Sequence, residues 1–353
     1  MNNLYVCIMA GGSGERFWPL SRRAKPKHLL RLFSGQTLLE QTVRRLNGLI
    51  ANDRIFVLTN EAQWEGIKAA LPDIDPARIL AEPAKRDTAP AAALATALAL
   101  KKNPEAIIAL LPADAMIADV ASFQRQLNDA AELAEDSGAL VTISIRPTWP
   151  STGFGYLELG ASAGQGKRGS KLFEARRFVE KPDAAKAAEY VQSGQYGWNA
   201  GIFIWKASVF QQEAVRLQPG LAHFIQTFVE AADEKQCLQQ MFPALPKISV
   251  DYAIMEKAKK VMAVEAEFDW DDVGAWTALP AHLGKDAQDN TFRGAVTAHN
   301  ARNNIAINEG KTIALCGVQD LVVIATDDAV LVCHRDAVQD VKKILPLLPP
   351  EIQ

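Results

Sequence analysis

The chain has 353 residues, of which 48% are hydrophobic, and at roughly 150 residues per domain this length predicts about two domains with ample core. The chain has 38 lysine and arginine residues and 41 aspartate and glutamate residues, which gives a net charge of -3. A protein with this charge has no overall positive potential that would attract nucleic acid or an anionic membrane. No apolar run reaches the about 18 residues that a membrane helix needs, and no basic segment precedes the first apolar stretch. We therefore expect no nucleic-acid or membrane partner, and any anion site must be local.

The four cysteines point to a reducing compartment. None of them forms a CxxC pair. Cys7 and Cys316 lie in apolar runs, where buried free thiols are expected. We predict a cytoplasmic protein.

The first half of the chain alternates apolar strand patterns with longer helical patterns. The predicted strands cover residues 4–10, 54–59, 106–112 and 139–145, and the predicted helices cover residues 37–50, 61–71, 88–102 and 122–136. Repeated βαβ units predict an α/β fold of Rossmann type with a mostly parallel, buried sheet. Such sheets bind ligands beyond the carboxyl ends of their strands.

The pattern changes in the second half. The Gly/Ser-rich residues 160–170 predict a surface loop, and residues 290–335 read as short strands broken by turn residues. A helix capped by Asp336 is expected over 336–348. We place the domain boundary at 285, with a larger domain over 1–285 and a small β domain over 286–353.

The segment MAGGSGERFWPLSRRAKPKHLL, residues 9–30, is a glycine-rich turn after the first strand. Such a turn exposes backbone N–H groups before a helix N-terminus, which suits a phosphate. It is not a P-loop, because no Gly-Lys-Ser/Thr follows, and not a dinucleotide fingerprint, because Phe17 replaces the third glycine. Arg16, Lys25 and Lys27, stiffened by two prolines, predict a polyphosphate site. The alternative is a solvated basic turn.

GGSGERFWPLSRRAKPK resembles the GGxGxRxxPLxxxxPK signature of the sugar-1-phosphate nucleotidylyltransferase family, and RFWPLSR is similar to its mannose-1-phosphate guanylyltransferase branch. The resemblance implies a GT-A-like, Rossmann-like catalytic domain and assigns Arg16 and Lys27 to the triphosphate. It also implies that the nucleotide lies against the backbone at Ala10, Gly11, Gly12 and Gly14.

EPAKRDTAP, residues 82–90, resembles the family's EPxxRNTAP segment, which lines the base pocket. Asp87 stands where the family usually has asparagine, and a carboxylate there either accepts a ring N–H or repels the nucleotide. Asp87 or Thr88 could instead simply cap the helix that begins here. The nucleotide-binding residues implied by the resemblance in this segment are Glu82, Arg86, Asp87 and Thr88.

Two aspartates are candidates for a magnesium site. Asp114, in LLPADAMI, follows a buried strand and resembles the family's LPxDH, with Ala115 in place of histidine. FDWDDVGAW resembles the family's WxDVGxW and implies Asp272 as the second ligand of Mg2+. Asp269 and Asp271 stay open as alternatives.

FVEKP, WNAGIFIW and TGFGYLELG resemble the half of the family's site that binds the sugar phosphate. Carboxylate and amide groups suit sugar hydroxyls, and an ammonium suits the phosphate. A plain surface ion pair is the alternative for the Glu-Lys step. Asp251, in ISVDYAIMEKA, is interpreted as structural. The implied sugar-phosphate residues are Gly155, Glu180, Lys181 and Asn199.

The resemblance covers nearly the whole chain, since residues 290–335 also resemble the family's short β-helix-like tail. It implies Mg2+-dependent transfer of GMP from GTP to mannose 1-phosphate, with GDP-mannose and pyrophosphate as products. A further isomerase domain, which long bifunctional relatives carry, is not expected, and an exposed edge of the β module could pair with a second copy. The alternatives are a non-catalytic GDP-mannose-binding regulator and a nucleotidylyltransferase with another sugar 1-phosphate or base.

Overall fold

The computed structural model describes residues 3–353, and this part of the chain forms an α/β domain followed by a small β module. The strands are Leu4–Met9 (β1), Ile55–Asn60 (β2), Ile79–Glu82 (β3), Ile107–Pro112 (β4), Leu140–Ile145 (β5), Gly155–Gln165 (β6), Lys171–Glu180 (β7), Tyr196–Lys206 (β8), Val261–Glu265 (β9), Thr291–Arg293 (β10), Val296–His299 (β11), Ile305–Asn308 (β12), Ile313–Cys316 (β13), Leu321–Ala325 (β14) and Val330–His334 (β15). The α-helices are Leu38–Arg44 (α1), Trp64–Ala70 (α2), Thr88–Lys102 (α3), Val120–Ser137 (α4), Ala184–Ser193 (α5), Ala207–Leu217 (α6), Pro219–Glu230 (α7), Glu234–Met241 (α8), Leu279–Leu283 (α9) and Val341–Ile344 (α10).

The central sheet has nine strands in the order β3-β2-β1-β4-β8-β5-β9-β7-β6. The strands β1 to β4 form one parallel block, and β5 pairs in parallel with β9. The strand β8 separates these two groups and runs antiparallel to both β4 and β5. The expected α/β class and its parallel, Rossmann-like first half are confirmed.

Both faces of the sheet are covered, which explains why its strands are apolar at every position rather than at alternate ones. In β1, Val6 and Ile8 belong to the core cluster on one face, whereas Cys7 belongs to the cluster on the other. The helix α4 packs into the first cluster, and α3 packs against α6 and α7 in the second. This sandwich brings the carboxyl ends of β1, β2 and β4 to one edge, where the glycine-rich segment begins.

The β module stacks its strands in parallel ladders, β10-β12-β14 and β11-β13, and β15 closes the first ladder in the antiparallel direction. Inside the β module, buried asparagine side chains form hydrogen bonds with each other and with the backbone. The Nδ2 of Asn304 donates to the Oδ1 of Asn290 at 3.0 Å, and the Oδ1 of Asn304 accepts from the backbone N–H of Leu321 at 3.0 Å. A stacked polar ladder of this kind fixes the register of successive turns.

The β module packs directly on the glycine-rich segment. Phe17 and Trp18 share one hydrophobic cluster with Ile305 and Val341. The indole Nε1 of Trp18 donates to the carbonyl of Ile352 at 2.7 Å. The C-terminal segment therefore helps to hold the segment that follows β1.

Two expected elements of the second half differ from the structure. Residues 160–170 are not a plain surface loop, because β6 continues to Gln165 in antiparallel pairing with β7, and a tight turn at 166–170 joins them. The expected helix over 336–348 is broken into a 3-10 segment, the short α10 and a second 3-10 segment. Asp336 does not cap it, since the Nδ1 of His334 accepts the hydrogen bond of the Asp336 N–H.

All four cysteines are free. Cys7 is buried as expected, but Cys316 is exposed, because alternate residues of β13 face outward. Within residues 3–353, every helix is too short or too polar to cross a membrane.

Candidate active site

Gly14 determines the path of the glycine-rich loop. The loop leaves β1 at Ala10, whose N–H donates to the carbonyl of Leu58 at 2.7 Å. Gly14 then adopts the left-handed conformation with φ of 62° and ψ of 30°. A Cβ at this position would lie 2.5 Å from the Cβ and 2.6 Å from the N of Lys27. Only glycine allows the loop to approach Lys27 this closely.

Lys27 is the centre of a hydrogen-bond network at the carboxyl edge of the sheet. Its Nζ lies 2.8 Å from the Oδ2 of Asp114 and donates to the carbonyl oxygens of Asp272 at 2.6 Å and Val273 at 3.2 Å. Its side chain is only 7% exposed. Such contacts fix a lysine that would otherwise be mobile. The network therefore holds one cation against one carboxylate and two backbone carbonyl oxygens.

A cavity of about 500 Å³ opens beside this network, and we call it the phosphate cavity because the sequence predicts a polyphosphate site in this loop. Arg16 reaches it from the loop and donates from Nη1 to the carbonyl of Gly274 at 3.3 Å. The residues that line the phosphate cavity are Ser13, Gly14, Glu15, Arg16, Phe17, Lys27, Asp114, Asp272, Gly274 and Lys342.

The two aspartates of the phosphate cavity have opposite pKa shifts. Burial pushes the pKa of Asp114 upward, but the adjacent Lys27 ammonium, through its charge and its hydrogen bond, brings it below the usual value. Burial raises the pKa of Asp272 to about 6, and the neighbouring carboxylates of Asp271 and Asp114 add to this effect against the pull of Lys27. Mutually repelling carboxylates of this kind are the oxygen donors that a hard cation such as Mg2+ would neutralise.

The other two acidic candidates are engaged elsewhere. The carboxylate of Asp269 accepts hydrogen bonds from the backbone N–H groups of Ala118 and Asp119. The carboxylate of Asp271 accepts from the Val273 N–H at 2.7 Å and lies 2.8 Å from the Nε2 of His282. Within residues 3–353, no group of three or more His, Cys, Asp or Glu side chains is arranged to hold a metal. Magnesium needs only one or two carboxylates when phosphate oxygens complete its shell, so the pair in the phosphate cavity fits it.

Val273 is held in a strained conformation next to this pair. Its φ is 46°, a value that is rare for a β-branched residue. The hydrogen bonds of its N–H to Asp271 and of its carbonyl to Lys27 fix it there. Such strain is retained where the surrounding structure over-determines a position, and it concentrates at functional sites.

A second cavity of about 330 Å³ adjoins the first through Asp114, which lines both. We call it the base cavity because the sequence resemblance implies that EPAKRDTAP lines the pocket of the base. Burial raises the pKa of Glu82 to about 8, so this carboxyl group is largely protonated at neutral pH. Arg86 donates from Nε to the carbonyl of Pro243 at 2.9 Å. The residues assigned to the nucleotide that line the base cavity are Gly11, Gly12, Glu82, Arg86, Asp87 and Thr88.

The capping interpretation of Asp87 and Thr88 is wrong. The hydroxyl of Thr88 accepts from the backbone N–H of Val250 at 2.9 Å instead of capping α3. Asp87 occupies the N-cap position but makes no side-chain capping bond, and its φ is 72°. That conformation costs a non-glycine residue about 1–3 kcal/mol.

The four residues assigned to the sugar phosphate lie on or next to three adjacent strands. Gly155 of β6 is paired with Glu180 of β7, and a Cβ on this glycine would lie 2.5 Å from the Glu180 Oε2. The Nζ of Lys181 lies 2.6 Å from the Glu180 Oε1. Asn199 of β8 donates from Nδ2 to the Oδ1 of Asp251 at 2.6 Å. Asp251, which was interpreted as structural, therefore holds the amide of Asn199 in place.

Aromatic side chains connect this group with Asp272. A cavity of about 690 Å³ is lined by Asp272, Phe154 and Trp198. The last two immediately precede Gly155 and Asn199 in the chain. The rings of Phe154 and Trp198 meet edge to face with centroids 5.0 Å apart. Both rings lie in the segments TGFGYLELG and WNAGIFIW, but the sequence analysis assigned a role only to the glycine and the asparagine that follow them.

Comparisons with known proteins identify the family. Residues 5–288 match the family model described as nucleotidyl transferase, and residues 294–348 match the model described as MannoseP isomerase/GMP-like beta-helix domain. The chain is 37% identical to a mannose-1-phosphate guanylyltransferase of Escherichia coli, over 98% of this chain and 74% of the relative. It is 39% identical to the enzyme of that name from Salmonella montevideo, over 96% of this chain and 72% of the relative.

A solved structure from Thermus thermophilus, described as a mannose-1-phosphate geranyltransferase, superposes with a TM-score of 0.88 at 36% identity. The match covers 98% of this chain and 99% of that one. The chain thus has the same fold as that structure over almost its full length. Its sequence is 37–39% identical to those of the two guanylyltransferases named above. It therefore belongs to the nucleotidyl transferase family and, within that family, to the mannose-1-phosphate guanylyltransferases.

Proposed function

We propose that the protein transfers GMP from GTP to α-D-mannose 1-phosphate and releases pyrophosphate. The observation that carries this proposal is the single cavity in which Gly14, Lys27, Asp114 and Asp272 meet. The names of its relatives point to the same reaction. We assign the chemistry to residues 1–285 and treat 286–353 as the smaller β domain. The cytoplasmic location and a homo-oligomeric state stay predictions.

The reaction needs no protein nucleophile. A phosphate oxygen of mannose 1-phosphate attacks the α-phosphorus in line, the bond from that phosphorus to the α–β bridging oxygen breaks, and its electron pair leaves with pyrophosphate. The attacking group is already an anion, so the protein contributes alignment and charge stabilisation. Arg16 and Lys27 would stabilise the negative charge on the α-phosphate and the leaving group. The hydrogen bonds of Lys27 to two carbonyls hold its ammonium in place before the substrate arrives.

Asp114 and Asp272 would hold Mg2+ in this site, because they are the aspartates that line the phosphate cavity. The bound ion would neutralise phosphate charge and help to orient the triphosphate. Both carboxylates lie within the electrostatic reach of Lys27, which limits the net negative charge that the nucleotide meets.

The base cavity would take guanine, and the group around Glu180 would take the sugar phosphate. A Cβ at Gly11 or Gly12 would meet no protein atom within 4 Å, so packing does not require glycine there. Close approach of a nucleotide to the backbone would explain both residues. The Glu180 carboxylate and the Asn199 amide supply hydrogen-bond partners for hydroxyls, and Lys181 supplies a cation for the phosphate.

The test is pyrophosphate release from purified protein with GTP, Mg2+ and mannose 1-phosphate, repeated with ATP, UTP and dTTP and with glucose 1-phosphate. Release should be strongest with the first pair, and Asp272→Asn should reduce turnover without loss of the fold. Release that is stronger with another pair would reassign the substrate. No release with any pair, from protein that still binds GDP-mannose, would contradict the proposal and favour a regulatory protein.

A further inference from the structure

A lysine from the C-terminal end of the chain reaches the phosphate cavity. The helix α10 packs against the short helical turn Glu15–Phe17 of the glycine-rich segment. Val341 is buried in the same hydrophobic cluster as Phe17. Lys342, the next residue, is exposed and lines the phosphate cavity with Arg16. The packing of Val341 thus places an ammonium group at the wall of this cavity.

Lys342 differs from the other cations of the phosphate cavity because its ammonium group has no partner among the described residues. Lys27 contacts Asp114 and two carbonyls, and Arg16 donates to the carbonyl of Gly274. Lys342 makes no hydrogen bond or ion pair within residues 3–353. Its neighbour Lys343 pairs with Asp340 at 2.7 Å and does not line the cavity. Side chains one position apart on a helix point in different directions, which explains the contrast.

The charges of the phosphate cavity balance only when Lys342 is included. Its charged residues are three acidic side chains and three basic ones, namely Glu15, Asp114, Asp272, Arg16, Lys27 and Lys342. Without Lys342, and before a metal ion binds, the lining would be net negative, which disfavours a polyphosphate. With Asp114 and Asp272 used for a metal, Lys342 remains available to the ligand itself.

The two cavities indicate which phosphates lie near Lys342. Gly11 and Gly12 line the base cavity, whereas the loop from Ser13 onward lines the phosphate cavity, and Asp114 lines both. A nucleotide with its base in the first cavity would have its α-phosphate near Asp114 and its terminal phosphates farther along the loop. Resting on the proposed function, we propose that Lys342 binds the β- and γ-phosphates of the nucleotide and hence the pyrophosphate that leaves.

The reverse reaction tests this assignment, because it supplies the two halves of the ligand separately. In the conversion of GDP-mannose and pyrophosphate to GTP and mannose 1-phosphate, Lys342→Ala should raise the KM for pyrophosphate about tenfold, the effect of losing one hydrogen bond between charged groups. The KM for GDP-mannose should stay within about twofold, because that molecule has no group at this position. Lys343→Ala should match the wild type in both constants, and Lys342→Arg should retain most of the affinity for pyrophosphate.

An unchanged KM for pyrophosphate in Lys342→Ala would overturn the proposal. Equal increases in both constants would also overturn it, since they would show that the substitution disturbs the loop as a whole. Binding of magnesium tripolyphosphate, measured by calorimetry, keeps the assignment testable if the substrates differ from those proposed. Weaker binding in Lys342→Ala than in Lys343→Ala would support the role of Lys342 even if the wild type released no pyrophosphate from GTP, and equal binding would refute it.

Discussion

Gly14→Ala should be far more harmful than an ordinary replacement of glycine by alanine. The new Cβ would lie 2.5 Å from the Cβ of Lys27 and 2.6 Å from its backbone N. A contact with backbone cannot be relieved by a change of rotamer, so the loop or the segment around Lys27 must move. The ammonium of Lys27 would then leave its positions near Asp114 and the carbonyl of Asp272.

The expected loss of stability in Gly14→Ala is the sum of two separate contributions. The left-handed conformation of Gly14 costs alanine about 1–2 kcal/mol. Overpacking against neighbours that cannot yield adds about 1–3 kcal/mol. Gly138 provides a matched control, because its φ of 61° and ψ of 26° are nearly the same while a Cβ there would meet no atom within 4 Å. Gly138→Ala should therefore show the first cost alone.

Urea denaturation of both variants would measure their free energies of unfolding, and pyrophosphate release would measure their turnover. We expect Gly14→Ala to be the less stable of the two by about 1–3 kcal/mol and to lose most of its turnover, whereas Gly138→Ala keeps wild-type turnover. Equal stabilities, together with retained turnover in Gly14→Ala, would refute the argument that the close approach of the loop positions Lys27.

Three further predictions concern other parts of the molecule. Burial raises the folded-state pKa of Glu82 from 4.5 to about 8. Its contribution to the free energy of unfolding is therefore fully present below about pH 4.5 and is lost as the pH rises from there to about 8. The free energy of unfolding of Glu82→Gln, measured in urea relative to that of the wild type, should therefore rise by up to about 4 kcal/mol between pH 5 and pH 9. A difference between the two proteins that stays constant over this pH range would contradict the prediction. Trp18→Phe removes the 2.7 Å hydrogen bond to the Ile352 carbonyl and should lower the free energy of unfolding by about 1 kcal/mol, which an unchanged urea midpoint would disprove. Glu180→Gln should raise the KM for mannose 1-phosphate more than the KM for GTP, and equal effects would remove Glu180 from the sugar pocket.

Local patterns were sufficient for elements that are buried along most of their length. The run LYVCIM is apolar at successive positions, which is a property of a strand buried on both faces, and it forms β1 in the parallel block. The predicted helix over 88–102 matches α3 residue for residue, because its alanine-rich sequence is buried along most of its length. Patterns failed at the hairpin of β6 and β7, where Gly and Ser residues suggested a loop although cross-strand pairing with β7 continues the strand to Gln165.

The motifs of the sequence determined which residue types would meet at the carboxyl edge of the sheet, and only the tertiary structure decided which of them share a cavity. FDWDDVGAW offers three aspartates, and the contacts of Asp269 with a loop and of Asp271 with His282 leave Asp272 facing the phosphate cavity. Lys342 had no signal in the sequence, because its place depends on the packing of Val341 against a segment more than three hundred residues earlier in the chain. Contacts of that sequence separation are specified by the packed core as a whole, and no local spacing encodes them.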